Sequence, residues 1–146
     1  MRINTKFPMA VHILAVIALN KDESLPSTSE LIAKSVGTNP VVIRRISSQL
    51  KAAGLISTKA GVAGARLTKA IKEISLLEIY RAVQDEEDTA VFDVHQNPSQ
   101  RCWIGHNIHA ALEEPLGQAQ EALEKALASY SLYDVAMDIN RRAGRI

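Results

Sequence analysis

A mainly α-helical fold with one small β hairpin is predicted by three observations. Residues 7–53 divide into three helical segments, punctuated by Pro26, Gly37, Pro40 and Gly54. A β-prone run, a glycine-spaced turn and a return stretch follow at once over residues 55–68. From Trp103 onward, apolar residues recur at spacings of three or four, the period of one helical face.

The first helix is predicted over residues 7–20. Pro8 suits a first helical turn, where its missing N–H is harmless. The apolar run 9–19 leaves only His12 as a polar side chain, so the helix needs cover on more than one face, and a second subunit is one source of it. The run is too short to cross a bilayer and lacks a small-x-small cleavage pattern. His12 reads as a core or interface histidine.

The second helix opens at Ser27, whose spacing to Glu30 matches a capping box, and it closes at Gly37. Asn39 is then a good N-cap and Pro40 a good first residue for a third helix. Helix, tight glycine turn, helix is a helix-turn-helix. At 100° per residue, Ile43, Ile46, Leu50 and Ala53 share one face of the third helix; Arg44, Arg45, Ser48 and Lys51 spread over the other.

Such a polar outer face is what a helix entering the major groove needs. An arginine can pair with guanine or hold a phosphate, and Val41 could touch a thymine methyl. A solvated surface helix would look the same. The segment 55–68 decides between them: a hairpin directly behind the third helix is a wing, and Lys59 and Arg66, with Lys69 nearby, would reach flanking backbone. The fold class expected is therefore a winged helix-turn-helix, mainly α with a small β wing, plus a long C-terminal dimerisation helix.

Charge divides along the same line. Residues 1–72 hold 11 Lys+Arg against 3 Asp+Glu, a net of +8, and residues 73–146 hold 6 against 13, a net of −7. The basic half suits a polyanion and the acidic half avoids one. The expected organisation is a winged-helix DNA-binding domain over 1–72 and a helical dimerisation and sensor region over 73–146. One cysteine in 146 residues excludes an internal disulfide framework and suits a reducing cytoplasm.

Several segments together resemble the Rrf-two (Rrf2) family of bacterial winged-helix transcription regulators. They are the opening MRINTKFPMAVHIL, NPVVIRRISSQLKAAGLI, ISLLEIYRAV, VHQNPSQRCWIGHNI and the helical tail. The resemblance covers nearly the whole chain, and RCWIG is most similar to a subgroup with a solitary cysteine. It implies a homodimer in which each winged helix reads half a palindrome and long C-terminal helices pack across the two-fold axis. It also implies that Arg44 and Arg45 face bases. The wing departs from the family pattern. Ala60 stands where an arginine is common, Ala63 and Ala65 where glycines are common, and Arg66 where an aromatic is common. These departures weigh against minor-groove insertion and leave phosphate contact as the expectation. Family members with an iron–sulfur cluster hold it on three cysteines; counting back from Cys102 reaches Gln96 and Ala90, neither a thiolate. No cofactor and no metal site are expected.

In the second half, Ser75 and Glu78 repeat the capping-box spacing before a short helix, and 85–88 form an acidic loop. Ile108, Leu112, Leu116, Ala119, Leu123, Leu127 and Tyr130 make a packing stripe that suits a partner helix. Pro115 should kink or split that helix. Ser131 opens a last helix carrying Leu132, Val135 and Ile139, and Arg141, Arg142 and Arg145 form a disordered basic tail. Three readings of Cys102 stand: a redox-sensing thiol, a metal ligand beside His95, His106 or His109, or a packed small residue.

The function expected is that of a cytoplasmic, homodimeric, sequence-specific regulator of transcription, a repressor, bound to double-stranded DNA and to no membrane. A small-molecule or redox effector is compatible with it. Asn39, Val41, Arg44, Arg45 and Ser48 would face bases; Lys51, Lys59, Arg66, Lys6 and Arg2 would face phosphates. The alternatives are a winged-helix protein-interaction module and a thiol sensor acting through Cys102. No nucleophile–base pair or phosphate loop supports an enzyme.

Overall fold

In a computed structural model of the chain, the described residues are 5–22, 24–85 and 90–145. Arg2 and the acidic positions 86–88 lie outside them. The element order is α1 (Lys6–Leu19), α2 (Ser29–Val36), α3 (Pro40–Ala52), β1 (Ile56–Lys59), β2 (Val62–Leu67), a 3₁₀ turn (Ile71–Glu73), α4 (Leu76–Ala82), α5 (Trp103–Ala128) and α6 (Leu132–Arg142).

The apolar helix α1 lies at the centre. Ala10, Ile13 and Leu14 are fully buried, and α2, α3, β2, α4 and α6 all touch the helix. Part of the cover its apolar faces need comes from the same chain. His12 makes a 2.9 Å hydrogen bond with Ser35 of α2, which satisfies the helix's lone polar group. Ile32, Ile43, Ile46, Leu50, Leu55, Ile74, Ile79, Val83 and Leu132 complete one core, so residues on both sides of the expected 72/73 boundary share it.

Helix α2 begins later than its sequence suggests. Thr28, not Ser27, is the N-cap, and its hydroxyl accepts from the Leu31 N–H at 3.2 Å. Ser27 is withdrawn from capping by two other bonds. Its hydroxyl accepts from Asn20 Nδ2 at 3.0 Å, and its carbonyl accepts the Ala65 N–H of β2 at 3.2 Å. The chain at 26–27 is thus extended beside the wing. Gly37 closes α2 at φ 82°, in the left-handed region. Asn39 caps α3 through a 3.1 Å bond from the Val42 N–H, with Pro40 behind it. Ile43, Ile46 and Leu50 are buried as their spacing requires, whereas Ala53, at the C-cap, is exposed.

The return strand is longer and the turn tighter than glycine spacing implied. β2 starts at Val62, opposite Lys59, and Gly64 lies within the strand. The register slips between Ser57, which faces Arg66, and Lys59, so the wing is bulged. Gly64 has φ +90°, and a Cβ there would come within 3.0 Å of Pro26 Cβ and the Ser27 nitrogen. The strand needs a glycine because the 26–27 backbone passes against it.

Beyond the wing, Ser75 caps α4, accepting from the Glu78 N–H at 3.0 Å. The Glu78 carboxylate turns to Lys69 instead, at 2.6 Å, so the expected capping box is only half formed. The Leu76 N–H donates to the Tyr130 carbonyl at 2.9 Å, and the Leu132 N–H to that of Ile74 at 2.8 Å. These bonds clamp the start of α4 to the start of α6. α5 leaves and returns between those anchors.

Helix α5 runs unbroken for 26 residues through Pro115. The split expected there is absent. Proline in a helix interior costs about 3 kcal/mol, but Ala, Leu, Glu and Gln on both sides propagate helix well enough to continue past it. None of its residues is buried within the chain. α6 opens on a complete capping box between Ser131 and Asp134 and buries Leu132 and Ala136, while Ile139 is exposed. Arg141 and Arg142 are not a disordered tail. They close α6, each bonded to Asp138 one turn earlier, where cations offset the helix dipole.

Candidate nucleic-acid interface

The outer face of α3, the N-terminus of α2 and the wing enclose a groove of about 430 Å³. Thr28 and Ser29 enter from α2, Arg44, Ser48 and Lys51 from α3, and Thr58 from β1. Val41 stands at the mouth of α3, 58% exposed. Lys51 Nζ donates to Thr58 Oγ1 at 2.7 Å, tying the end of α3 to the wing.

The two arginines differ. Arg44 Nη2 donates to the Glu30 carboxylate of α2 at 2.6 Å, with both side chains more than half exposed. Arg45 makes no hydrogen bond or ion pair with any described residue. Ser48 lies one turn after Arg44 on the same exposed face. Asn39 is exposed, but its side-chain oxygen is already taken by the Val42 N–H, leaving only its amide NH2 to meet DNA. Lys59 and Arg66 project from the wing, both exposed.

Lys6 is differently placed. Its ammonium lies 3.0 Å from Asp85, its side chain is 17% exposed, and Gln49 of α3 donates to the same carboxylate at 3.3 Å. The Lys6 ammonium, first as hydrogen-bond donor and then as neighbouring charge, holds the Asp85 carboxyl below its ordinary pKa. A phosphate contact by Lys6 would have to compete with that pair. Lys69 is likewise turned away from the wing, towards Glu78. Sequence reasoning missed Thr28, Ser29, Glu30 and Thr58. A helix start ahead of a groove-facing helix was the available signal for the first three, obscured by assigning the cap to Ser27.

The acidic half carries the other candidate. Cys102 is exposed within its own chain, at the N-cap of α5. The N–H groups of Gly105, and then Ile104, favour its thiolate and lower its pKa. The loop before it presses on the first turn of α5: a Cβ on Gly105 would lie 2.5 Å from the Ser99 carbonyl oxygen. His109 bonds the His95 carbonyl at 2.8 Å and His106 bonds Gln100 at 2.8 Å, so neither ring is turned to Cys102.

Residues 3–138 match the Rrf2 family, described as an iron-dependent transcriptional regulator. The chain belongs to that family. It is 48% identical over 133 residues to the "Putative HTH-type transcriptional regulator YwnA" of Bacillus subtilis (strain 168), spanning 91% of this chain and 96% of that one. A solved "putative DNA binding protein" is similar at 45% identity and a TM-score of 0.72, over 89% of this chain and 97% of that one. CymR, the global cysteine regulator of B. subtilis, shares the fold at a TM-score of 0.65 and 21% identity, over 94% and 97% of the two chains. The chain is thus a winged-helix transcription regulator of the Rrf2 family, not an enzyme. Among its described residues, no helix is long and apolar enough to cross a membrane.

An iron cluster held by thiolates does not fit this chain. A cluster needs thiolates, and Cys102 is the sole cysteine. The described residues contain no group of three His, Cys, Asp or Glu side chains able to hold a metal ion.

Proposed function

We propose that the protein is a homodimeric repressor that reads a palindromic operator, one half-site per protomer. In this reading α3 lies in the major groove, with Val41, Arg44, Arg45 and Ser48 against base edges. Lys51 and the wing residues Lys59 and Arg66 contact flanking phosphates, as Arg2 and Lys6 would from the N-terminal side. The observation that carries it is the groove between α3, the start of α2 and the wing, lined by Arg44, Ser48 and Lys51, with Lys59 and Arg66 exposed on the adjoining hairpin. Two-fold association rests on α5, a long amphipathic helix none of whose residues is buried within its own chain.

Selection of duplexes from a random-sequence pool by the full chain tests this directly. The expected product is a palindrome, bound with an affinity that falls by about 0.9 log unit per phosphate contact for each tenfold rise in salt. Arg44→Ala or Arg45→Ala should relax discrimination by about 1–3 kcal/mol for each bidentate base pairing removed. Lys59→Ala should weaken all sequences alike. Unchanged operator affinity in both arginine variants would remove α3 from the groove, and no salt-sensitive DNA retention at all would leave a protein-interaction module.

A second reading, that of a thiol sensor, is favoured by the exposed, thiolate-favouring position of Cys102. Here oxidation of the thiol alters operator affinity. Wild-type protein should then lose binding under oxidant while Cys102→Ser does not, and equal behaviour of the two would exclude it.

A further inference from the structure

We infer that Glu30 is a specificity-determining positioning residue: it holds Arg44 in place for a base and keeps it from a phosphate. The inference rests on the DNA-reading assignment of α3 above. Glu30 occupies the second position of α2, where the helix dipole favours a carboxylate, and its oxygen receives Arg44 Nη2 at 2.6 Å. An exposed pair of this kind adds little to stability. A carboxylate beside a surface that meets a polyanion also lowers overall affinity. Its effect therefore belongs to selectivity.

The physical reason lies in what each DNA group presents. A guanine edge offers two neutral acceptors, O6 and N7, and a guanidinium paired on one side with a carboxylate still has N–H groups to give them. A phosphate is an anion. Glu30 repels it and offsets the charge that would attract it. An arginine at this site without Glu30 would be free to swing to the backbone, which carries no sequence information. Arg45, with no polar partner among the described residues, lacks this restraint and is the more general contact of the two. The pair also joins α2 to α3, which orders the guanidinium before DNA arrives.

The test compares wild type, Glu30→Gln, Arg44→Ala and the double variant, each full length, on a duplex selected by the wild-type protein. The competitors are that duplex with the base pair whose preference Arg44→Ala abolishes replaced, and mixed-sequence DNA. Glu30→Gln should reduce discrimination at that base pair at least about fivefold, the lower end of what one bidentate pairing supplies. It should tighten binding to mixed-sequence DNA and steepen the salt dependence by about 0.9 log unit per tenfold salt, the slope of one further neutralised phosphate. In the Arg44→Ala background it should leave discrimination and the salt slope unaltered, and only the general gain in affinity from the lost carboxylate should remain. Thermal melting should be the same in all four, which separates positioning from folding. Unaltered discrimination and salt slope in Glu30→Gln, with Arg44→Ala still relaxed, would overturn the inference alone. An Arg44→Ala protein that discriminates like wild type would overturn the reading beneath it.

Discussion

Cys102 illustrates how a neighbouring backbone sets the chemistry of a side chain. Two amides at the start of α5 face a thiol that water also reaches. The thiolate fraction at neutral pH should exceed that of free cysteine, and alkylation by iodoacetamide should titrate with a midpoint below the ordinary thiol value. A midpoint at or above that value would deny the helix start its influence. Asp85 makes the complementary case for a carboxylate. Its folded pKa lies below the unfolded one, so the Lys6–Asp85 pair stabilises the fold above the unfolded pKa and loses that contribution as pH falls through the folded value. Asp85→Asn should flatten this part of the acid limb in a denaturation series run from neutral pH downward. The pair is exposed on the Asp85 side, so the change is small.

At the scale of elements, the wing is positioned by one backbone passage. Gly64 permits β2 to run against residues 26–27, and the Ala65–Ser27 hydrogen bond holds it there. Gly64→Ala places a methyl group 3.0 Å from backbone at a φ that L-residues rarely adopt, a strain of about 1–3 kcal/mol. The expected outcome is a lower melting temperature and, because Lys59 and Arg66 shift with the strand, weaker binding to every DNA sequence with a shallower salt slope. Gly61, at the turn itself, would look equally important from spacing. The helix–wing relation was legible in the sequence because each cap and turn is local: Gly37, Asn39 and Pro40 act on their immediate neighbours. The Ser27 capping box was misread for the opposite reason. Its hydroxyl and carbonyl are claimed by Asn20 and Ala65, and only the tertiary fold brings Ala65 within reach.

The whole molecule divides into a buried core and an arm, α5, that buries no residue of its own. The side of α1 that carries Ala10, Ile13 and Leu14 is met by its own chain and does not by itself require a partner. α5 does: Ile104 and Trp103 are exposed, the latter at 79%, and the stripe through Leu112, Leu116 and Leu123 is at best half-buried. Under the dimer reading, Leu116→Glu should convert a sedimenting dimer to monomer while leaving helical circular dichroism unchanged, since the side chain supports no buried core in its own chain. Operator affinity should fall with it, as two half-sites no longer bind together. A dimer that survives this substitution would place the subunit interface elsewhere.

By itself, the sequence determined the order of helices, the hairpin, the outward pair of arginines and the lack of ligands for a cluster, because periodicity, caps and thiol count are properties of short stretches. Tertiary structure decided which polar groups are already engaged. Lys6 is bonded to Asp85, Lys69 to Glu78 and Arg44 to Glu30, partners that lie 79, 9 and 14 positions away. A side chain's charge is written in its residue type, but its freedom to meet DNA depends on what the folded chain sets beside it.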